Sequence, residues 1–189
     1  MKNRAKYLGI SLFFSVSCIF LVSNCTSMPP SQPFSGNKMQ QALQDVSYYR
    51  DTVEVKVRDA KMRFKDEPEI LKEAEKRYNT AEEQGNSFIE TLQHSLTERL
   101  FSEDDLMTAV SNLDRAVGDL LAYIESVEQQ KHPEERPMYR AVDIPSGIAD
   151  KVTKAGKVMW EAARSEETLL VREIKDELEK RRWKSWGEI

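Results

Sequence analysis

The chain has 189 residues, with 28 lysine and arginine residues against 32 aspartate and glutamate residues and a formal net charge of −4. A general nucleic-acid-binding protein would show a basic patch, so this acidic balance argues against that class. The chain has only two cysteines and two histidines, so few residues could form a thiolate metal site or catalyse a reaction as cysteine or histidine.

The first 25 residues have the pattern of an export signal. Lys2, Arg4 and Lys6 make a basic start, an apolar run follows over 7–22, and no acidic residue precedes Cys25. A basic segment, an apolar segment and a cleavage site in this order are typical of secretory signals. A membrane-spanning helix needs about 20 consecutive apolar residues, and this run is shorter.

The end of this signal resembles the lipobox of bacterial lipoproteins. The segment Val22-Ser23-Asn24-Cys25 supplies an aliphatic residue three before the cysteine and a small residue two before it, while Asn24 departs from the small residue preferred at its position. The resemblance implies cleavage before Cys25, attachment of lipid such as palmitate to it, and anchoring to a membrane of the cell envelope. Thr26 stands where an inner-membrane retention signal would have aspartate, which resembles the outer-membrane default of a cell with two membranes. The alternatives are lipidation at Cys18, an ordinary secretory cleavage, and a retained membrane anchor.

Removal of residues 1–24 would leave 165 residues with a formal charge of −7, enough chain for one hydrophobic core. No cysteine follows Cys25, so no disulfide can form within the remaining chain. Residues 25–37 hold the cysteine and a segment with three prolines, three serines and a glycine, a composition that predicts a flexible tether. Such a tether reaches roughly 20–40 Å. Residues 38–189 are expected to form one helical domain.

The first two helices are predicted from apolar residues that recur at spacings of three and four, which places them in one stripe along the face of each helix. The segment Asp66-Glu67-Pro68 is expected to end or kink the first helix, because proline lacks an amide proton and restricts the residue before it. The first stripe comprises Met39, Leu43, Val46, Tyr49, Val53, Val57, Ala60 and Phe64, and the second comprises Leu71, Ala74, Tyr78, Ala81, Phe88, Leu92 and Leu96.

Gly85-Asn86-Ser87 interrupts the second stripe and allows two interpretations. Gly85 could stop one helix, with Ser87 and Glu90 forming a capping box for the next. The apolar register continues across the interruption, however, so Gly85 could instead lie in a seam where helices approach closely. We favour one continuous helix, because an isolated glycine costs only about 1 kcal/mol relative to alanine.

The third helix gives the strongest structural signal. Ser102 and Asp105 fit an N-terminal cap, and a regular four-three alternation of apolar residues predicts knobs-into-holes packing. A loop is predicted over 131–143, and a last helix from near Pro145 to about Trp183. The third stripe comprises Leu106, Val110, Leu113, Val117, Leu120, Ile124 and Val127, and the last comprises Ile148, Val152, Ala155, Met159, Ala163, Leu170, Ile174 and Leu178.

These elements predict an all-α protein, an antiparallel four-helix bundle with coiled-coil-like packing. An extended pair of helical hairpins that completes its core as a dimer is the alternative. We find no catalytic or metal-binding pattern: His94 and His132 lie on different predicted elements, and neither has a glutamate three residues before it. No enzyme activity, metal or cofactor is therefore expected.

Two segments are candidates for partner contacts. The first lies in the predicted loop and contains Met138, Tyr139 and Arg140, since tyrosine and arginine are enriched at binding hot spots; these residues could equally cover the end of the bundle. The second combines cations and tryptophans near the C-terminus and comprises Arg181, Arg182, Trp183 and Trp186. It could contact a membrane interface or another envelope polymer. We favour the simpler interpretation that its cations complement a helix dipole and that Trp183 closes the bundle end.

The sequence thus predicts a lipid-anchored bacterial envelope protein that acts as a non-enzymatic structural or protein-interaction module. Its expected partners are the membrane, through lipid on Cys25, and an envelope protein or a second copy of the chain. The alternative is a carrier that holds a small apolar or metal ligand inside the bundle. Regular heptads such as those of the third helix are usually filled by side chains, which counts against a carrier.

Overall fold

The computed structural model describes residues 36–131, 147–165 and 168–189. The predicted signal, Cys25 and most of the predicted tether lie outside these residues. The described elements are α1 (Gly36–Arg63), α2 (Pro68–Glu98), α3 (Glu103–Lys131), α4 (Ile148–Ser165), α5 (Thr168–Glu179) and a short 3₁₀ turn, Trp186–Glu188. No strand occurs among the described residues, and the all-α prediction is confirmed. None of these helices is long and apolar enough to cross a membrane.

The predicted stripes form one continuous core. All seven predicted positions of α3 are buried, as are all those of the first stripe except the half-buried Met39. Large side chains fill the interior, among them Tyr49, Phe64, Tyr78 and Phe88. The heptad spacing predicted this result, because residues three and four apart lie on one face of a helix.

The boundary between α1 and α2 lies near Pro68, where the sequence predicts it. Helix α1 ends at Arg63, and α2 begins with Pro68 at its first position. This position tolerates proline because its amide proton would have no partner within the helix. Helix α2 then continues through Gly85 to Glu98, so the prediction of one unbroken helix is confirmed.

Ser102 caps α3 as predicted, since its hydroxyl accepts a hydrogen bond from the Asp105 amide at 3.2 Å. Replacing Ser102 with alanine leaves that amide without its cap, and we expect a loss of about 0.5–2 kcal/mol in the free energy of unfolding. Chemical denaturation would measure the loss. Ser87→Ala, at an exposed position within α2, is the control, and equal losses for the two variants would show that Ser102 does not act as a cap.

Contacts between the helices give their directions. Helices α2 and α3 are antiparallel, because Ile70 near the start of α2 contacts Tyr123 near the end of α3. Helices α1 and α3 are parallel: the Tyr49 hydroxyl donates to Asp114 at 2.8 Å, and Arg63 pairs with Glu128 at 3.7 Å.

The last predicted helix is two helices, so the part of the chain that the structure describes has five helices instead of the predicted four. Helix α4 runs parallel to α2, because Gly156 lies against Leu92, while Trp160 contacts Phe101 just beyond the end of α2. Helix α5 runs the opposite way, since Lys175 donates to Thr97 and Glu179 accepts from Gln93. The sequence offers a physical reason: five consecutive polar residues, 164–168, separate the apolar residues of α4 from those of α5. A continuous helix would have no apolar side chain there to hold it on the core.

Candidate functional site: the C-terminal segment

Cys25, Met138, Tyr139, Arg140 and His132 lie outside the described residues. His94 is exposed on α2. No group of histidine, cysteine, aspartate and glutamate residues within the described ranges could hold a metal ion. The other predicted contact residues, Arg181, Arg182, Trp183 and Trp186, lie in the segment Lys180–Ile189 that follows α5, which we name the C-terminal strap.

The strap lies between α1 and α2. The Arg181 guanidinium donates to the backbone carbonyl of Leu43 on α1 at 3.2 Å. The next residue, Arg182, pairs with Glu90 on α2 at 3.1 Å and with Glu179 at 2.8 Å. These bonds to Glu179 and Glu90 raise the pKa of Arg182 above its ordinary value. Both arginines that the sequence offers as candidates for partner contacts therefore bond within their own domain.

Trp183 is buried against the middle of α2, with 7% of its surface exposed. Its backbone amide donates to the side-chain carbonyl of Asn86 at 3.0 Å. Its indole ring lies so close to Gly85 that an added Cβ atom would be 2.1 Å from Nε1. The close approach predicted at Gly85 is real, but it is made by a tryptophan of the strap and not by another helix. Trp183 also lies midway along α2, not at the bundle end.

Trp186 continues the same aromatic cluster towards α1. Its ring centroid is 5.6 Å from that of Tyr78, which is itself 6.1 Å from that of Trp183. The Lys61 ammonium lies 4.4 Å from the Trp186 centroid and also donates to the Trp186 carbonyl. The Tyr78 hydroxyl donates to the Lys184 carbonyl at 2.5 Å. Burial raises the pKa of Tyr78, so the phenol keeps the proton that this bond requires.

These contacts explain the composition of the C-terminus without an external partner. Aromatic side chains fill the groove between α1 and α2, and the cations neutralise glutamates and cap carbonyl groups around it. The sequence carried one signal for this arrangement, the small residue Gly85 on the apolar stripe of α2. A partner role for Arg181, Arg182, Trp183 and Trp186 stays a prediction.

The carboxyl group of Glu82, beside the strap, lies in an environment that disfavours its charged form. Burial, and then the negative charge of Glu188, raise the pKa of Glu82 on α2. A carboxyl whose pKa is higher in the folded state than in the unfolded state binds its proton more readily when folded. Stability therefore falls as the pH rises through the pKa of the folded state.

We accordingly expect Glu82→Gln to raise the melting temperature at pH 7, because the amide carries no charge to desolvate or repel. The gain should disappear at about pH 3, where the carboxyl is protonated in both states. Thermal denaturation across this pH range would measure it, with Glu83→Gln at the neighbouring exposed position as the control. A gain that is the same at pH 3 and pH 7 would contradict the electrostatic explanation.

Comparisons of the chain with protein-family models, with curated proteins and with solved structures give no significant match.

Proposed function

We propose that this chain is a lipid-anchored protein of the bacterial envelope that acts as a non-enzymatic structural or protein-interaction module. The observation that carries the proposal is the basic and apolar signal that ends in Val22-Ser23-Asn24-Cys25. Lipid on Cys25 would hold the chain at a membrane, and the proline-rich residues after it would give reach. Without an aspartate after Cys25, the outer membrane is the expected location in a cell with two membranes.

The described domain suits a module that presents a surface. Its core is filled by large apolar side chains, of which Tyr49, Phe64, Tyr78, Phe88 and Met159 are almost completely buried. A filled core favours a stiff body over a chamber for a ligand. The strap adds to this stiffness, because it joins α1 to α2 through arginines, tryptophans and backbone hydrogen bonds.

Replacing Cys25 tests the anchor. We expect Cys25→Ala to abolish labelling of the protein by radioactive palmitate in whole cells. Cys18→Ala should leave the labelling unchanged, because Cys18 lacks the aliphatic residue three positions before it. The opposite pattern would place the lipid on Cys18. If neither variant changed the labelling, the lipoprotein proposal would fail.

Photo-crosslinking in living cells tests the interaction role. A crosslinking residue at Tyr139 should capture a discrete envelope protein or a second copy of this chain. The matched control is Glu83, which is exposed in the middle of α2. Trp186 is unsuitable as a probe position, because its ring packs on Tyr78 and Lys61 and its replacement would disturb the strap. Capture of lipid alone, or the same products from both positions, would contradict partner binding through this segment.

A further inference from the structure

The start of α1 and the α2–α3 turn lie at the same end of the bundle. Helices α1 and α3 are parallel, and the Tyr49–Asp114 hydrogen bond puts those two residues level with each other. Gly36 lies thirteen residues before Tyr49, and Phe101 lies thirteen residues before Asp114. Both stretches are almost entirely helical and rise about 1.5 Å per residue. The described chain therefore begins level with the turn, and we name this end the tether end.

The tether end carries an apolar tip. Leu100 is 74% exposed, more than any other large hydrophobic residue described, and Met107 follows on α3 with 48% exposed. Beside them the half-buried rings of Phe101 and Trp160 lie 5.5 Å apart, and the Arg164 guanidinium is 5.5 Å from the Trp160 ring. An apolar tip with an adjacent tryptophan and arginine is typical of residues at a membrane interface, where the ring and the long stem meet acyl chains and the charge stays in water.

We propose that the tether end rests on the surface of the lipid bilayer, with Leu100 inserted between headgroups. This proposal depends on the lipid anchor at Cys25 described above. The eleven residue-to-residue steps from Cys25 to Gly36 span at most about 40 Å. The opposite end of the bundle is farther from Gly36 by about 40 Å, the length of α3. The tether end is thus the part of the domain that the anchor keeps closest to the bilayer. Tethering gives this end a high effective concentration at the lipid surface.

The charges at the tether end indicate which lipid surface it fits. Among the described residues there, three cations and five carboxylates are exposed: Arg99, Arg164 and Lys38, and Glu98, Glu103, Asp104, Asp105 and Glu161. A strongly anionic surface would repel this slight excess of negative charge, whereas zwitterionic headgroups would not. The tip is therefore suited to a zwitterionic lipid surface, which it contacts through apolar insertion.

Site-directed spin labelling tests the proposal on the mature lipidated protein in phosphatidylcholine vesicles. The mature chain has no cysteine other than the acylated Cys25, so Leu100→Cys introduces one label site, and its exposure makes the change compatible with folding. Asp66→Cys, exposed in the turn at the opposite end, is the control. We expect the label at position 100 to be several-fold more accessible to oxygen, relative to a water-soluble nickel complex, than the label at position 66.

The outcomes separate the two proposals. If the protein floats with the vesicles but both labels are equally accessible to the nickel complex, the membrane contact is wrong and the anchor stands. Spin–spin broadening at position 100 with full exposure to water would show that a second copy covers the tip, which also overturns the membrane contact. If the protein does not float with the vesicles, the lipid anchor fails and the contact that rests on it fails as well.

Discussion

Replacing Trp183 with alanine is expected to lower the free energy of unfolding by about 3–5 kcal/mol, the usual cost of removing a buried tryptophan side chain. Trp183 is 7% exposed, and its ring lies on Gly85 and contacts Tyr78. Its loss would leave a cavity where the ring now lies between Gly85 and Tyr78. Urea denaturation of the chain without residues 1–25, followed by circular dichroism, would measure the change.

Trp186→Ala is the matched control, because that ring is half-buried and lies on the same strap. We expect it to cost clearly less than Trp183→Ala. The comparison of the two free energies of unfolding shows whether the strap is part of the hydrophobic core or only lies on its surface. Equal and small losses for the two variants would contradict the position of Trp183 in the core.

Gly85→Ala is expected to destabilise the native protein but to stabilise the Trp183→Ala variant. In the native background an added Cβ would meet the rigid indole at 2.1 Å, and overpacking of this kind costs about 1–3 kcal/mol. In the Trp183→Ala background the ring is absent, so the higher helix propensity of alanine should stabilise the protein by up to about 1 kcal/mol. A double-mutant cycle would measure the coupling between the two positions.

Gly118→Ala on α3 provides the control for helix propensity alone, since nothing lies within 4 Å of a Cβ added there. It should stabilise the protein in both backgrounds by a similar amount. If Gly85→Ala behaved like Gly118→Ala in the native background, the contact between Trp183 and Gly85 would be wrong.

The first three helices could be predicted because local and tertiary requirements agree in them. Ser102 satisfies an amide at the start of α3, Pro68 takes a position where no amide proton is needed, and apolar residues repeat at the spacing of one helical face. Each of these signals acts over a few residues, and each is visible in sequence without knowledge of the neighbouring helix.

The reversal after α4 and the position of the strap could not be predicted in the same way. The apolar stripe resumes at Leu170 seven residues after Ala163, a spacing compatible with one continuous helix. The strap is held by contacts over long sequence distances, such as Trp183 with Asn86 and Arg181 with Leu43. A local pattern does not encode such pairs. Gly85 indicated that something approaches α2 closely, but the sequence did not identify Trp183 as that neighbour.

The most direct test of the lipoprotein proposal is mass spectrometry of the N-terminal tryptic peptide from the membrane fraction of the native cell. The first lysine or arginine after Cys25 is Lys38, so processing at the lipobox predicts the peptide Cys25–Lys38. Its mass should exceed that of the unmodified peptide by a diacylglyceryl group, and the cysteine should be its first residue. A peptide 7–38 that retains the apolar run, or a peptide with an unmodified Cys25, would contradict the proposal.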